Sequence, residues 1–295
     1  MNKIGIHYAY WSSEWEIDLV QQVKNAANVG FSAIDITPPD FIESNDYKSM
    51  DELIEVSKET NVELNFCIGF PKSKDMASAD PAIRQAGIDY TKRILEAVHY
   101  MGGRVLSGIL YSSWPYLYDH QLTEKNKSDA WKRGVESIQT IIPEAENRGI
   151  VYAIEIVNRF EQYILNSVDE GIQFCQDIGS PSAKLLVDVF HANIEEINIA
   201  DSIRKAGDLL AHLHISENNR RLPGSGKHID WDDIFKALKQ INYQGNIVME
   251  PFLESFGPVG NDLRIWRDNE KDLSKEARDR YARESIAFVK SKMQN

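Results

Sequence analysis

Short apolar runs alternate with longer amphipathic segments along the whole chain. Eight runs are almost entirely apolar, which is typical of strands covered on both faces. The predicted strands are Lys3–Tyr8, Ala33–Thr37, Val62–Ile68, Arg104–Ile109, Val151–Ile156, Lys184–Val189, Leu210–Ile215 and Asn246–Glu250. The alternation predicts repeated βα units around a parallel sheet.

Helix signals fill the segments between these strands. The start signals are the capping-box pairs Ser49/Glu52 and Ser167/Glu170 and the dipeptide Asp80-Pro81. Gly102 and Gly103 are expected to end the helix that begins at Pro81. Apolar residues at three- and four-residue spacing between Trp131 and Ala145 predict one buried helical face, with a kink expected at Pro143.

These patterns predict an α/β fold, a (β/α)8 TIM barrel in which residues 1–295 form a single catalytic domain. A length of 295 residues suits this fold, which typically needs about 250. No linker-like or low-complexity tract divides the sequence. The alternative is an open doubly wound sheet, but the first βα junction lacks the GxGxxG pattern.

Composition and charge narrow the classes of partner. A formal net charge of −12 disfavours nucleic acid, because affinity for a polyanion depends largely on Lys and Arg. Cys67 and Cys175 are the only cysteines and lack metal-type spacing, so neither a disulfide framework nor a thiolate site is expected. No secretory signal pattern and no long apolar stretch occur. We therefore expect a cytoplasmic protein without membrane partners.

Candidate chemistry lies where four consecutive predicted strands end. Glu155, Asp188, His214 and Glu250 each interrupt an apolar run at its carboxyl end, on strands five to eight. In a TIM barrel these ends meet at the active-site face. Three converging buried carboxylates repel each other unless a cation is bound, so the four residues predict a metal site.

The mostly hard-oxygen ligand set suits Mn²⁺, Co²⁺ or Mg²⁺ more than a structural zinc, and we expect one divalent ion, Mn²⁺ first, per subunit. Taken singly, each residue is equally compatible with a buried ion pair or a core histidine. His212 points to the same side as His214, one layer lower, and is expected to be a hydrogen-bonded core residue. The remaining histidines show no constellation and are expected to be structural or exposed: His7, His99, His120 and His228.

Six segments, taken together in order and spacing, resemble the D-tagatose 3-epimerase/D-psicose (allulose) 3-epimerase family of xylose-isomerase-like barrels. They are Gly5–Trp11, Glu155–Glu161, Asp188–Glu196, His214–Gly224, Met249–Phe252 and Trp266–Asp268. The resemblance covers nearly the whole chain. It implies a homodimer or homotetramer and a small-molecule ketose as substrate.

The same resemblance implies roles for individual residues. Glu155 and Glu250 would be both metal ligands and the catalytic acid/base pair. Substrate contacts are implied for Glu161, His191, Arg220, Trp15, Trp114 and Tyr8. Without the family, Glu161 and His191 are typical of surface loops and the tryptophans of a core. The implied reaction inverts C3 of a free ketose through a cis-enediolate, with one carboxylate on each face of the sugar.

Departures from the family pattern leave the preferred sugar open among D-fructose/D-psicose, D-tagatose/D-sorbose and a ketopentose. They are expected to change the pocket wall. The departures are Phe70 for Pro, Ser107 for Gly, Ile215-Ser216 for Thr-Gly, and the segment Thr37-Pro38-Pro39.

Other functions remain as alternatives. An aldose-ketose isomerase of the same superfamily would use a similar metal site. A phosphorylated ketose is a further possibility, because Pro223–Lys227 lies where barrels often bind phosphate, although a structural turn is the favoured interpretation. A DNA-repair nuclease would need a histidine-rich zinc cluster and a basic face, and a sugar-binding barrel would not need paired acids.

Overall fold

The computed structural model describes residues 2–37, 44–116 and 121–294, and in them eight parallel strands close into a barrel in chain order. The strands are β1 Ile4–His7, β2 Ala33–Ile36, β3 Glu63–Phe70, β4 Val105–Ser113, β5 Val151–Ile156, β6 Ala183–Asp188, β7 Leu210–Ile215 and β8 Ile247–Met249. β8 pairs with β1, which completes the closure. The predicted TIM barrel is therefore confirmed.

Helices surround the barrel on its outer side. Within the described ranges they are α1 Leu19–Val29, α2 Tyr47–Thr60, α3 Pro81–Tyr100, α4 Glu124–Arg148, α5 Val168–Ile178, α6 Val189–Glu195, α7 Ile199–Ala206, α8 Trp231–Gln240, α9 Gly257–Asp262 and α10 Lys275–Gln294. Their apolar faces pack on the strands and form one continuous core. Within the described ranges, none of these helices combines the length and apolarity that a membrane crossing requires.

The helix termini test the sequence signals one by one. The Ser167/Glu170 capping box is confirmed at the start of α5, and Asp80 caps α3 with Pro81 in the first turn. The capping box predicted for Ser49 and Glu52 is wrong. Asp46 is the N-cap of α2 and accepts a hydrogen bond from the Ser49 amide. A carboxylate three residues earlier thus supplies the cap. Pro143 lies inside α4, which continues through it.

Strand boundaries agree with the predicted pattern except at some ends. β4 extends to Ser113, four residues beyond the predicted Ile109, because Phe70 and Ser113 pair after an irregularity at Gly69 and Phe70. Tyr8 already belongs to a 3-10 helix, Tyr8–Trp11, and Val189 begins α6. Glu250 lies one residue past β8, so its side chain is placed at the mouth of the barrel.

Candidate metal centre and active site

A pocket of about 780 Å³ opens at the carboxyl ends of the barrel strands. The predicted site residues that line it are Tyr8, Trp15, Trp114, Glu155, Glu161, His191, Arg220 and Glu250. Part of the remaining wall is apolar, from Leu19, Leu53, Ile68, Ile109 and Phe252. A pocket of this size and mixed character suits a small polar ligand with apolar faces, such as a sugar.

Four side chains converge at the base of this pocket. Glu155, Asp188, His214 and Glu250 each offer a ligand atom, and these atoms all lie within 4.8 Å of one another. All four residues are buried. The strand-end position of each residue brings them together, because neighbouring parallel strands end at the same level of the barrel.

The chemistry of this donor set fits a divalent cation. The Nδ1 atom of His214 is buried, lacks a hydrogen-bond partner within the described structure, and lies 3.4 Å from Oε1 of Glu250. An unpartnered imidazole nitrogen facing carboxylate oxygens is suited to metal ligation. The residues that would hold the ion are thus Glu155, Asp188, His214 and Glu250.

The two glutamates differ in their electrostatic surroundings. Burial and the nearby Glu250 carboxylate raise the pKa of Glu155 well above its usual range. Burial would also raise the pKa of Glu250, but His214 and Arg220 outweigh it and hold that pKa well below its usual range. Burial would lower the pKa of His214, yet Glu250 and Asp35 raise it well above its ordinary value. The surroundings therefore favour one protonated and one ionised carboxyl group.

Arg220 joins two of the candidate ligands. Its Nη1 donates to Oδ2 of Asp188 and to Oε2 of Glu250, both at 2.7 Å. The guanidinium lies 3.9 Å from the centroid of the Phe190 ring. Arg220 has a positive φ of 62°, and its carbonyl accepts a hydrogen bond from the Phe252 amide. This contact holds the left-handed backbone of Arg220, which directs the buried guanidinium toward the base of the pocket.

His191 is a neutral imidazole above the cluster. Its Nδ1 accepts from the Asn158 amide at 3.2 Å, and its Nε2 lies 3.3 Å from Nη2 of Arg220. That Nε2 lies 3.7 Å from Oε1 of Glu155 and 3.6 Å from Oδ2 of Asp188. Burial lowers the pKa of His191 to about 4, against the opposing effect of Asp188.

Glu161 and Trp114 form one pair on the pocket wall. The Trp114 Nε1 donates to Oε2 of Glu161 at 2.8 Å, and Asn158 Nδ2 donates to Oε1 at 3.0 Å. Gly69 makes room for the Trp114 ring, because a Cβ there would lie 3.0 Å from it. Trp15 meets Trp114 edge to face, with ring centroids 6.4 Å apart.

Tyr8 and Trp15 occupy the part of the wall that follows β1. Tyr8 is almost fully buried at the start of the 3-10 helix, and its ring centroid lies 6.4 Å from that of Trp15. Trp15 donates from Nε1 to Oδ2 of Asp262 at 2.8 Å. The structure thus places all six predicted substrate contacts in one pocket, whose lining also includes Glu155 and Glu250 of the four metal candidates.

Two residues near the cluster escaped the sequence analysis. His7 is buried, which agrees with the expectation of a structural residue, but it also lines the pocket. Burial lowers its pKa to about 4, opposed by Glu250. Asp35 accepts hydrogen bonds from Nε2 of both His212 and His214, at 2.7 and 2.9 Å. A single carboxylate inside the apolar run Ala33–Ile36 was the signal that marked Asp35.

The other histidine expectations fare differently. His212 is fully buried and hydrogen-bonded to Asp35, as predicted for a core residue. His228 is exposed and contacts Asn193 at 3.0 Å. His120 lies outside the described residues.

The departures from the family pattern mostly lie away from the pocket. Phe70 is fully buried and packs on Tyr90, with ring centroids 5.8 Å apart, and the Ser107 hydroxyl donates to the Phe66 carbonyl at 3.0 Å. Ile215 and Ser216 are also fully buried. Among the described departures only Thr37 lines the pocket. The expectation that the other described departures change the pocket wall is therefore wrong.

Comparison with known proteins agrees with this architecture. A family model described as a xylose isomerase-like TIM barrel matches residues 23–292. The chain is 38% identical to a D-psicose 3-epimerase of Enterocloster bolteae over 291 residues, which are 98% of this chain and 95% of that protein. It is 31% identical to an L-ribulose 3-epimerase of Methylomonas sp., covering 98% of this chain and 96% of the other.

A solved structure gives the same answer in three dimensions. The D-psicose 3-epimerase of Clostridium cellulolyticum H10, determined with D-tagatose, superposes with a TM-score of 0.94 at 33% identity, covering 99% of each chain. The fold and the pocket thus define an enzyme of the xylose isomerase-like TIM barrel class. Within that class the chain belongs to the D-tagatose 3-epimerase/D-psicose 3-epimerase family, and it is a carbohydrate epimerase.

Proposed function

We propose that this protein is a divalent-metal-dependent ketose 3-epimerase acting on free ketoses. The observation that carries the proposal is the convergence of Glu155, Asp188, His214 and Glu250 within 4.8 Å at the base of the pocket. The names of the relatives, D-psicose 3-epimerase and L-ribulose 3-epimerase, support a ketohexose or a ketopentose. The candidate pairs are D-fructose/D-psicose and D-tagatose/D-sorbose, with ribulose as the pentose.

The reaction removes the hydrogen on C3, next to the C2 carbonyl, and returns one to the opposite face. An enediolate forms between the two steps, with negative charge on the sugar oxygens. A bound divalent cation, Mn²⁺ first and Co²⁺ or Mg²⁺ next, would supply the electrostatic stabilisation that this charge needs. One such ion per subunit matches the four-residue cluster found in the described part of the chain.

Glu155 and Glu250 are the proposed acid/base pair. Epimerisation needs one ionised group to take a proton and one protonated group to return it, and in the metal-free protein the pKa of Glu250 is lowered while that of Glu155 is raised. Glu250 would act as the base in one direction, and the roles would exchange in the other. Arg220, which donates to Glu250 at 2.7 Å, keeps that carboxyl group ionised and is placed to contact a sugar oxygen.

Substrate binding would use both the polar and the aromatic parts of the wall. His191 lines the pocket beside Arg220 and would hydrogen-bond a sugar hydroxyl, and Glu161 can accept from another while Trp114 holds it in place. Trp15 and Tyr8 offer apolar surface to the carbon backbone of the sugar.

The loop Pro223–Lys227 supports a free sugar over a phosphorylated one. The Gly224 amide donates to Oε1 of the buried Glu217 at 2.8 Å, and a Cβ on Gly226 would meet Oε2 of Glu217 at 2.7 Å. A carboxylate under this loop uses an amide that a phosphate would need, and its charge repels one. None of these residues lines the pocket.

The experiment is a panel of free ketoses and their phosphates assayed in D₂O. A 3-epimerase incorporates solvent deuterium at C3 of the product, and turnover should be higher on a free ketose than on its phosphate. An aldose product without solvent deuterium would instead establish an aldose-ketose isomerase with hydride transfer.

The proposed assembly follows the family resemblance, whereas the proposed location follows from the two free cysteines. The proposed enzyme is a cytoplasmic homodimer or homotetramer without nucleic-acid or membrane partners. The formal net charge of −12 supports the lack of a nucleic-acid partner. Light scattering coupled to size-exclusion chromatography distinguishes a dimer from a tetramer.

A further inference from the structure

Asp35 is a fully buried carboxylate in β2, which lies three strands around the barrel from β7, the strand of His214. Its Oδ2 atom lies 2.7 Å from Nε2 of His212 and 2.9 Å from Nε2 of His214. Its Oδ1 atom accepts from Nδ2 of Asn65 at 3.1 Å. Both oxygens are therefore occupied by donors that come from two other strands, β3 and β7.

These contacts fix which nitrogen of His214 carries a proton. An ionised carboxylate only accepts hydrogen bonds, so the Nε2 atom facing Asp35 must be protonated. In the neutral ring the lone pair then belongs to Nδ1. That atom has no hydrogen-bond partner in the described structure and lies 3.4 Å from Oε1 of Glu250.

We propose that Asp35 is the positioning residue of the metal centre, which selects the tautomer and fixes the ring orientation that turn Nδ1 of His214 toward the cation. The inference rests on the proposed function, because it assumes that His214 binds a metal. Carboxylates behind a ligating imidazole commonly have this effect and strengthen the ligand.

The position of Asp35 does not depend on His214 alone. Oδ1 of Asn65 accepts from Nδ2 of Asn246 at 3.2 Å, and that same nitrogen donates to Oε1 of Glu63 at 2.8 Å. Lys3 then contacts Oε2 of Glu63 at 2.7 Å near the opposite rim of the barrel. This chain of polar contacts, together with His212, holds Asp35 from below.

The first test compares Asp35→Asn with Asp75→Asn by chelator competition for Mn²⁺. Asp75 is also a buried carboxylate, but it accepts from the Ala77 amide and the Ser112 hydroxyl and does not line the pocket. We expect Asp35→Asn to weaken Mn²⁺ binding by about 10 to 100-fold and the control to leave it unchanged. Equal affinities in Asp35→Asn and the unsubstituted protein would overturn the inference.

The number of divalent ions bound per chain distinguishes the positioning role of Asp35 from two other outcomes. Asp35, Cys67 and His214 also have ligand atoms within 4.8 Å of one another. A second ion per chain that Asp35→Asn abolishes would show that Asp35 is itself a ligand and would overturn the positioning role. An unsubstituted protein that binds no divalent ion would overturn the proposed function and this inference with it.

A spectroscopic measurement on the unsubstituted protein does not depend on how the variants fold. Long-range ¹H–¹⁵N spectra of histidine-labelled, Mg²⁺-loaded protein report the tautomer of each ring. We expect His214 to be protonated at Nε2 and unprotonated at Nδ1. The reverse tautomer would contradict the role of Asp35.

Discussion

The two halves of the barrel contribute differently to the pocket. The candidate ligands all come from β5 to β8 or the residue that follows. The other half provides Ile68 from within β3, and Tyr8, Trp15 and Trp114 from the segments that follow β1 and β4. Arg220 and His191 also belong to the second half, next to the carboxylates that they contact.

This difference teaches how one fold separates chemistry from recognition. The second half concentrates negative charge, which Arg220 and His214 offset and a bound cation would balance further, while the first half presents aromatic rings to the ligand. Asp35 is the exception, because it reaches from β2 across the interior to His212 and His214. The first half therefore supports the chemistry of the second through one buried carboxylate.

The largest predicted effect comes from a glutamate of the second half. Glu250→Gln should lower kcat for ketose epimerisation by about 10²- to 10⁴-fold at saturating Mn²⁺, because it removes a proton carrier and weakens a ligand. Glu52→Gln is the matched change at the pocket mouth in the first half and should leave kcat near that of the unsubstituted protein. Full activity in Glu250→Gln would favour a sugar-binding barrel.

The next effect concerns the balance of charge. Arg220→Gln leaves Asp188 and Glu250 without their buried partner and should lower the free energy of unfolding of metal-free protein by about 3 to 5 kcal/mol. Arg221→Gln is the control, since its partner Glu270 is partly exposed and such pairs contribute about 1 kcal/mol or less. Equal losses in denaturant titrations would mean that the second half has no special need of a cation.

Acid should destabilise both halves through their buried histidines. Burial lowers the pKa of His7 and of His191 from 6.5 to about 4. The unfolded chain then binds more protons between these values, so stability is full above pH 6.5 and falls as the pH decreases toward 4. Each histidine contributes a slope of at most about 1.4 kcal/mol per pH unit.

His7→Gln should remove the contribution of His7, the buried histidine of the first half, to the pH dependence of the free energy of unfolding. Denaturant titrations of metal-free protein at several pH values between 4 and 7 measure it. Parallel curves for His7→Gln and the unsubstituted protein would show that His7 does not titrate as its burial predicts.

The smallest effect belongs to the aromatic wall. Trp114→Phe removes the Nε1 donor to Glu161 and keeps most of the ring, so we expect KM to rise by about fivefold, near 1 kcal/mol, with kcat little changed. Steady-state kinetics on the preferred free ketose provide the measurement. A large loss of kcat at constant KM would mean that Trp114 contributes to the chemical step. It would contradict the separation of substrate binding and chemistry between the two halves.

The barrel and the four-residue cluster were predictable because strand ends are visible in the pattern. A charged residue that ends an apolar run marks the active-site face, and four such positions, Glu155 to Glu250, define one place in space. Asp35 lies within β2 and not at its end. Its contacts with His212 and His214 exist only because the barrel closes, so the strand pattern alone does not predict them. The same holds for His7, whose place in the pocket depends on neighbours distant in sequence.

Predictions made from neighbouring residues alone were wrong at a helix start and at a strand end. Ser49 and Glu52 have capping-box spacing, but Asp46 lies one turn earlier and binds the same amide. The departure at Phe70 indicated a changed pocket wall, whereas the side chain turns outward against Tyr90. Which face a residue takes after an irregular strand end cannot be read from its neighbours alone.

The most direct test of the central claim is the activity of metal-stripped protein during titration with Mn²⁺. Four buried side chains that hold one required cation predict negligible ketose epimerisation after chelation and full recovery near one equivalent per chain. Chelated protein that interconverts the sugars at an undiminished rate would contradict the account.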